Sequence, residues 1–396
     1  MISLLRKILA MNWLLVLTML ALAIFGVYAI ESAARHLPSG GEYYAQRQKV
    51  WIMAGCLVFL ITAMVDYRWI RWLGIPMYLS GLALMMVAIY KGSDVHQISL
   101  GPISFQPTQL GIAGGIVLMG SLLQDLPRWH AFFRLPYIKV AIIAILAGVP
   151  FLIVVAMGDM GSALVWVPVT AVVMLVCGIP YRYLLMMGVV GFGCVALAYF
   201  IVLPKASQRG AERIELYLDM LNGREVDING DAYAPYWVST SIGKAGWKGL
   251  GWNASSERGS LHDKKYIPWK TAHNDFIFGV IGEEQGFRGS LLLLTAYSML
   301  LIQCIFIAFY SRDSSGRIIA AAVVALMFAH IFENIGMCVL MTPITGIPLP
   351  LVSYSGTFIV MIMFLLGLVQ SVWVHRNVEL EDSEETVEQI RRYGQA

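Results

Sequence analysis

Apolar stretches of roughly 20 residues recur along this chain, near 8–30, 48–65, 73–90, 107–124, 137–156, 162–180, 184–203, 276–309, 318–340 and 353–374. Each is long enough to cross the hydrocarbon core of a bilayer. Backbone polar groups inside that core must bond within their own segment, so each stretch is expected to be a helix. The expected fold is therefore an all-α polytopic membrane protein with about ten transmembrane helices, read as a single domain over 1–396. Composition agrees: only 13% of the residues are charged, against about 25% in soluble domains. The first stretch is too long for a signal-peptide core and follows Arg6 and Lys7, so it reads as an uncleaved span.

Basic residues set the expected orientation. Arg6, Lys7, Arg68, Arg71, Arg128, Arg134, Arg182, Arg312, Arg317 and Arg376 all fall between spans on one side. That side becomes the cytoplasm and holds both termini, including an acidic tail near 375–396. One connection, about 204–273, is long and extracytoplasmic. It carries ten Lys/Arg, which leaves the orientation intact because long loops cross largely regardless of charge. Ile214, Tyr217, Leu218 and Leu221 recur at helical spacing in it. Its SIGKAGWKGLGW stretch (241–252) combines glycines, which let backbone approach an anionic ligand, with interfacial aromatics. A plain interfacial turn is the equally weighted alternative.

Five cysteines lie in apolar stretches with no C-x-x-C pair, and seven histidines show no H-E-x-x-H spacing. These patterns give neither a disulfide framework nor a zinc site. The small net charge of +3 gives no sign of a nucleic-acid partner.

Ionisable residues at membrane depth are costly and point first to function. Asp159 sits in GDMGSAL, and Asp275, Glu283 and Glu284 sit in TAHNDFIFGVIGEEQGF. His330, Glu333 and Asn334 sit in AHIFENIGM. Each also has a structural reading. Asp159 and Asp275 could cap helices, and His330 and Glu333 could bond to each other or to a neighbouring helix. Two proline-rich segments, 100–108 and 341–357, require irregular backbone that is buried in protein or lines a cavity. The span at 276–309 is too long for one plain crossing, so its early part belongs at an interface or in a cavity.

These residues carry a family resemblance. IPLPLVSYSGT (347–357), ENIGM (333–337), HNDFIFGVIGEEQGFRG (273–289), GDMGSAL (158–164), LGPISFQPT (100–108) and the Gly-rich 241–252 resemble, in order and spacing, the motifs of the SEDS family of RodA/FtsW-like peptidoglycan glycosyltransferases. The resemblance implies polymerisation of lipid II by β-1,4 bonds, with inversion, beside a class B penicillin-binding protein in the bacterial inner membrane. Asp275 falls on the family's essential acid. Asp159, Lys244, Lys248, Glu283, Glu284, His330, Asn334, Ser353 and Tyr354 become candidate substrate contacts. Lys244, Lys248 and Arg209 are the loop cations nearest in sequence for a leaving pyrophosphate. Mg2+ or Mn2+ could ride on that pyrophosphate, with no dedicated metal cage readable.

The chain departs from the family at several places. Thr108, Gln109 and Ile112 stand where Ser-Glu and a Lys are usual, and Val95, His96 and Gln97 replace an Arg-Arg-Trp cluster. The stretch from Pro268 to Asp275 is about two residues longer, and Glu333 replaces an apolar residue. Two other functions compete: a lipid-linked precursor flippase or transporter, using His330, Glu333 and Asn334, and an inactive scaffold for a penicillin-binding protein.

Overall fold

The computed structural model describes residues 4–91, 98–100, 103–197, 215–220, 222, 224, 226–227, 230 and 232–376. Among them, eight helices are long and apolar enough to cross a membrane. In chain order the helices begin with α1 (Leu4–Leu9), α2 (Trp13–Ala33), α3 (Gly40–Met64), α4 (Tyr67–Ile70) and α5 (Gly74–Lys91). A hairpin of two three-residue strands follows, Ile98–Leu100 against Ile103–Phe105. Next come α6 (Pro107–Trp129), α7 (Pro136–Ala156), α8 (Met160–Leu164), α9 (Trp166–Val176) and α10 (Tyr181–Leu197). The chain then runs through α11 (Tyr233–Ala245) to α12 (Ile277–Phe309), α13 (Ser314–Cys338) and α14 (Gly356–Val374). The sixth expected span is met by the shorter apolar helices α8–α9, and the described part of the seventh by α10.

Helix ends follow local chemistry more than hydropathy. The first span starts at Trp13 because Asn12 caps it, its Oδ1 accepting from Leu15 N at 3.1 Å. Asp313 caps α13 in the same way through Gly316 N. α13 and α14 form the most buried part of the bundle. Helices α5 and α6 meet at glycines: a Cβ on Gly81 would lie 2.6 Å from Gly111 Cα. Such close approach is how membrane helices gain packing where lipid removes the hydrophobic drive.

Where it is described, the long connection near 204–273 holds more order than its sequence announces. Residues 215–220 are helical, as the apolar spacing predicts, and Tyr217 Oη donates to Met341 O at 2.8 Å. Ile214, Leu221, Arg209, Val95, His96, Gln97 and the acidic tail lie outside the described residues. α11 was not anticipated.

The Gly-rich stretch packs against α12. α12 breaks at Gly286, whose φ of 66° and ψ of −163° are non-helical. The break frees backbone groups that membrane-depth structure cannot leave open. Residues 246–251 take them up. Leu250 N and Gly251 N donate to Glu283 O and Glu284 O at 3.0 and 2.8 Å. Phe287 N and Arg288 N donate to Gly246 O and Trp247 O at 2.9 and 3.2 Å. The glycines thus let 246–251 approach the broken helix closely.

Candidate active site

Three separated motifs converge on the turn that carries Asp275. Thr271 O accepts from Asn274 N, Asp275 N and Phe276 N at 3.0, 3.1 and 3.4 Å, which folds 271–276 into a compact turn. Asp275 does not cap α12; the cap is Phe276, with no side-chain cap bond. Its half-buried carboxylate instead faces Gly346, where a Cβ would sit 3.6 Å from Asp275 Oδ2. Gly346 has φ +73°, and its missing side chain leaves room beside that oxygen.

The proline-rich loop is fastened directly to this turn. Asn334, fully buried, donates from Nδ2 to Asp275 O at 2.8 Å and to Ile347 O at 2.7 Å. Ser353 Oγ donates to Asn274 O at 2.6 Å and accepts from Leu349 N at 2.8 Å. Tyr354 N donates to His273 O at 2.9 Å. The Tyr354, His273 and Tyr44 rings pack with centroids 4.8–5.4 Å apart. Asn334, Ser353 and Tyr354 therefore position the turn; the bonds found for them are to protein backbone. Replacing Asn334 by Leu leaves two buried carbonyls without a donor. The expected cost is about 2 kcal/mol in stability, with a loss of turnover out of proportion to it. A thermal melt and a rate on the same sample check this.

Asp159 takes the capping role expected of it, with Oδ1 accepting from Ser162 N at 3.1 Å. Its Oδ2 lies 3.5 Å from Gln106 Nε2, which ties GDMGSAL to the start of α6. A Cβ on Gly161 would sit 2.8 Å from Thr345 and Ile347 side chains, so α8 also abuts the proline-rich loop. Asp159 lies within electrostatic reach of His330 and Glu333 on α13. His330 and Glu333 do not bond to each other: His330 Nδ1 donates to Leu326 O at 2.9 Å. The His330 Nε2 and Glu333 Oε2 atoms are buried without a protein partner. Thr108, Gln109 and Ile112 are buried on α6.

Glu283 and Glu284, each 1% exposed, hold the long loop to the bundle. Glu283 accepts from Leu261 N, from His262 N at 3.1 Å and from Ser260 Oγ at 3.2 Å. Glu284 Oε1 accepts from Ser32 Oγ on α2 and from Asn253 N at 3.1 Å. Lys244 and Lys248 are exposed beside the break in α12. By helical rise that break lies roughly 15 Å along the axis from Asp275. In sequence, Lys270 and Lys265 are the lysines that most closely precede Asp275, and the sequence reading passed over both. The extra length between Pro268 and Asp275 was the signal available. Among the described residues, no three His, Cys, Asp or Glu side chains come together as a metal cage.

Two loop histidines make this region sensitive to acid. Burial, then the nearby Arg35, lowers the His262 pKa to about 3; burial alone lowers His273 to about 4. The His262 Nε2 proton points at Ser32 O, 3.3 Å away. In the unfolded chain both rings take up a proton near pH 6.5, and in the folded chain they refuse it. Stability is complete above that pH and is lost as pH falls toward the folded values. At pH 5 the loss is about 2 kcal/mol per histidine. Melting the protein across pH 7.5–4.5 checks it, and His262→Gln should flatten part of the slope.

A bundle of membrane-crossing helices that gathers carboxylates and amides beneath one proline-rich loop has the architecture of a membrane-embedded enzyme. The chain belongs to the FtsW/RodA/SpoVE family, described as cell cycle proteins, whose pattern matches residues 9–378. It is 28% identical over 377 residues to the peptidoglycan glycosyltransferase MrdB of Escherichia coli (strain K12), covering 92% of this chain and 94% of that protein. The probable peptidoglycan glycosyltransferase FtsW of Trichlorobacter lovleyi is 27% identical, over 90% and 92% of the two chains. A chain from a structure of a peptidoglycan synthase complex, reported for its coordination of polymerization and crosslinking, superposes with a TM-score of 0.73 at 25% identity, covering 93% and 99%. The rod shape determining protein RodA of Thermus thermophilus shares the fold, with a TM-score of 0.65 at 24% identity over 93% and 98%. The enzyme class that comes with this family is glycosyltransferase.

Proposed function

We propose that this chain polymerises lipid II into β-1,4-linked glycan strands, with Asp275 as the general base. The observation that carries the reading is the Asp275 turn itself. Its backbone is fixed by Asn334 and Ser353, while its Oδ2 faces the space left by Gly346. A carboxylate held this way can take the proton of an acceptor sugar hydroxyl as that oxygen attacks the donor's anomeric carbon. The new C–O bond forms as the bond to undecaprenyl diphosphate breaks, with inversion. The diphosphate leaves with its negative charge, which nearby cations stabilise. The clamp keeps reacting groups aligned, which is a large share of any such rate enhancement.

The same reading places the protein in the bacterial inner membrane, with both termini cytoplasmic and the Asp275 face outside. A class B penicillin-binding protein would crosslink the strands it makes, as the likeness to the synthase complex supports. Any Mg2+ or Mn2+ would arrive on the substrate diphosphate, since the described residues supply no cage. Buried His330 and Glu333, with unpartnered polar atoms at depth, favour the flippase as second reading. Labelled lipid II, offered to the purified protein with and without the partner, separates them. Glycan strands are the expected product; movement across the bilayer without polymer would refute the polymerase.

A further inference from the structure

We propose that Lys265, Trp269 and Lys270, on the segment that leads into the Asp275 turn, form a rim that grips the diphosphate of the lipid-linked donor, an inference that rests on the polymerase reading above. The Lys265 and Lys270 ammonium groups lie 5.6 and 5.5 Å from the centroid of the same Trp269 ring. Neither forms an ion pair among the described residues, whereas the neighbouring Asp263 is already engaged by Arg35 and His36. Lys264, Lys265 and Lys270 are all exposed. The rim therefore brings two exposed ammonium groups to one indole ring, each held by cation–π attraction.

Two further features show that this arrangement is built. Lys265 has φ +61°, a left-handed conformation that glycine or asparagine adopts with less strain. Strain kept in a tight turn is a mark of a functional position. The turn is braced on several sides. Lys265 N donates to His262 O at 2.9 Å, and Tyr233 Oη donates to Lys265 O at 2.9 Å. The next ring, Tyr266, stacks on Trp237 at 4.3 Å. Lys270 immediately precedes Thr271, whose carbonyl receives Asp275 N at 3.1 Å. One turn of chain thus links the backbone of Lys270 to that of Asp275. A diphosphate has the charge and the spread of acceptor oxygens to engage two ammonium groups at once. A neutral sugar or a single acyl chain has neither.

The test uses the full-length protein in detergent, with Asp275→Asn to prevent turnover. Undecaprenyl diphosphate, undecaprenyl monophosphate, uncharged undecaprenol and inorganic diphosphate are the binding probes. Replacing both lysines by Gln should weaken undecaprenyl diphosphate about 10-fold and the monophosphate about 3-fold, and leave undecaprenol unchanged. Inorganic diphosphate should lose affinity in parallel if the rim reads the phosphates alone. Lys270→Arg should restore binding. Lys265→Gly should raise the melting temperature while weakening diphosphate binding, a split that a purely structural lysine would not give. Diphosphate affinity within 2-fold of the parent in the double Gln variant would overturn the proposal, as would equal losses for undecaprenol. Failure of the polymerase reading shows separately, as wild-type protein that makes no glycan from lipid II.

Discussion

Gly286→Ala and Gly249→Ala are each expected to cost more than about 3 kcal/mol and to leave little or no monodisperse protein after extraction. Both glycines hold positive φ, +66° and +71°, which any other side chain would strain. Space is the larger obstacle. A Cβ on Gly249 would collide with the Glu284 carbonyl, and one on Gly286 would collide with Gly249 N. Neither neighbour can rotate away, because both are backbone. Relief would require separating 246–251 from α12, which would strip partners from Glu283 O, Glu284 O, Phe287 N and Arg288 N. Unpaired backbone groups at that depth cost several kcal/mol each. Gly243→Ala serves as the control, since a Cβ there meets open space. Size-exclusion profiles and melting temperatures of the three variants make the comparison.

Asp275→Asn is expected to lower polymerisation by about 1,000-fold, within the range set by loss of a general base. Fold stability should barely change. The substitution is isosteric, and Asn keeps the backbone N–H and carbonyl through which the turn is fastened. That separation makes the variant informative: loss of rate without loss of fold assigns the carboxylate to chemistry. Asp275→Glu should recover part of the rate, because it keeps the base but moves its oxygens toward the Gly346 backbone. Initial rates on purified lipid II, paired with melts, give both quantities.

Much of this architecture is legible from hydropathy because the bilayer leaves a crossing segment few choices. The caps at Asp159 and Asp313 are equally local, each needing only the N–H three residues on. The early part of α12 was marked as anomalous from Glu283, Glu284 and Arg288, and the break at Gly286 explains the anomaly. What stayed hidden depends on partners distant in sequence. Nothing in 241–252 announces that it will complete the hydrogen bonding of a helix 35 residues on (Gly251 to Gly286). Nor does Glu284 announce Ser32 as its partner, 252 residues away. The sequence groups the motif residues, but their division of labour is not readable from it. Asn334 and Ser353 hold backbone, Glu283 and Glu284 hold a loop, and Lys244 and Lys248 lie by the helix break. Lys265, a left-handed residue, and Lys270, in the stretch between Pro268 and Asp275, have no periodicity to betray them.

A single-turnover experiment on Asp275→Asn, with lipid II binding measured on the same sample, tests the central assignment most directly. Binding should stay within about 3-fold of wild type while bond formation falls about 1,000-fold. Bond formation at the wild-type rate would contradict the account, because the proton would then be leaving by another route.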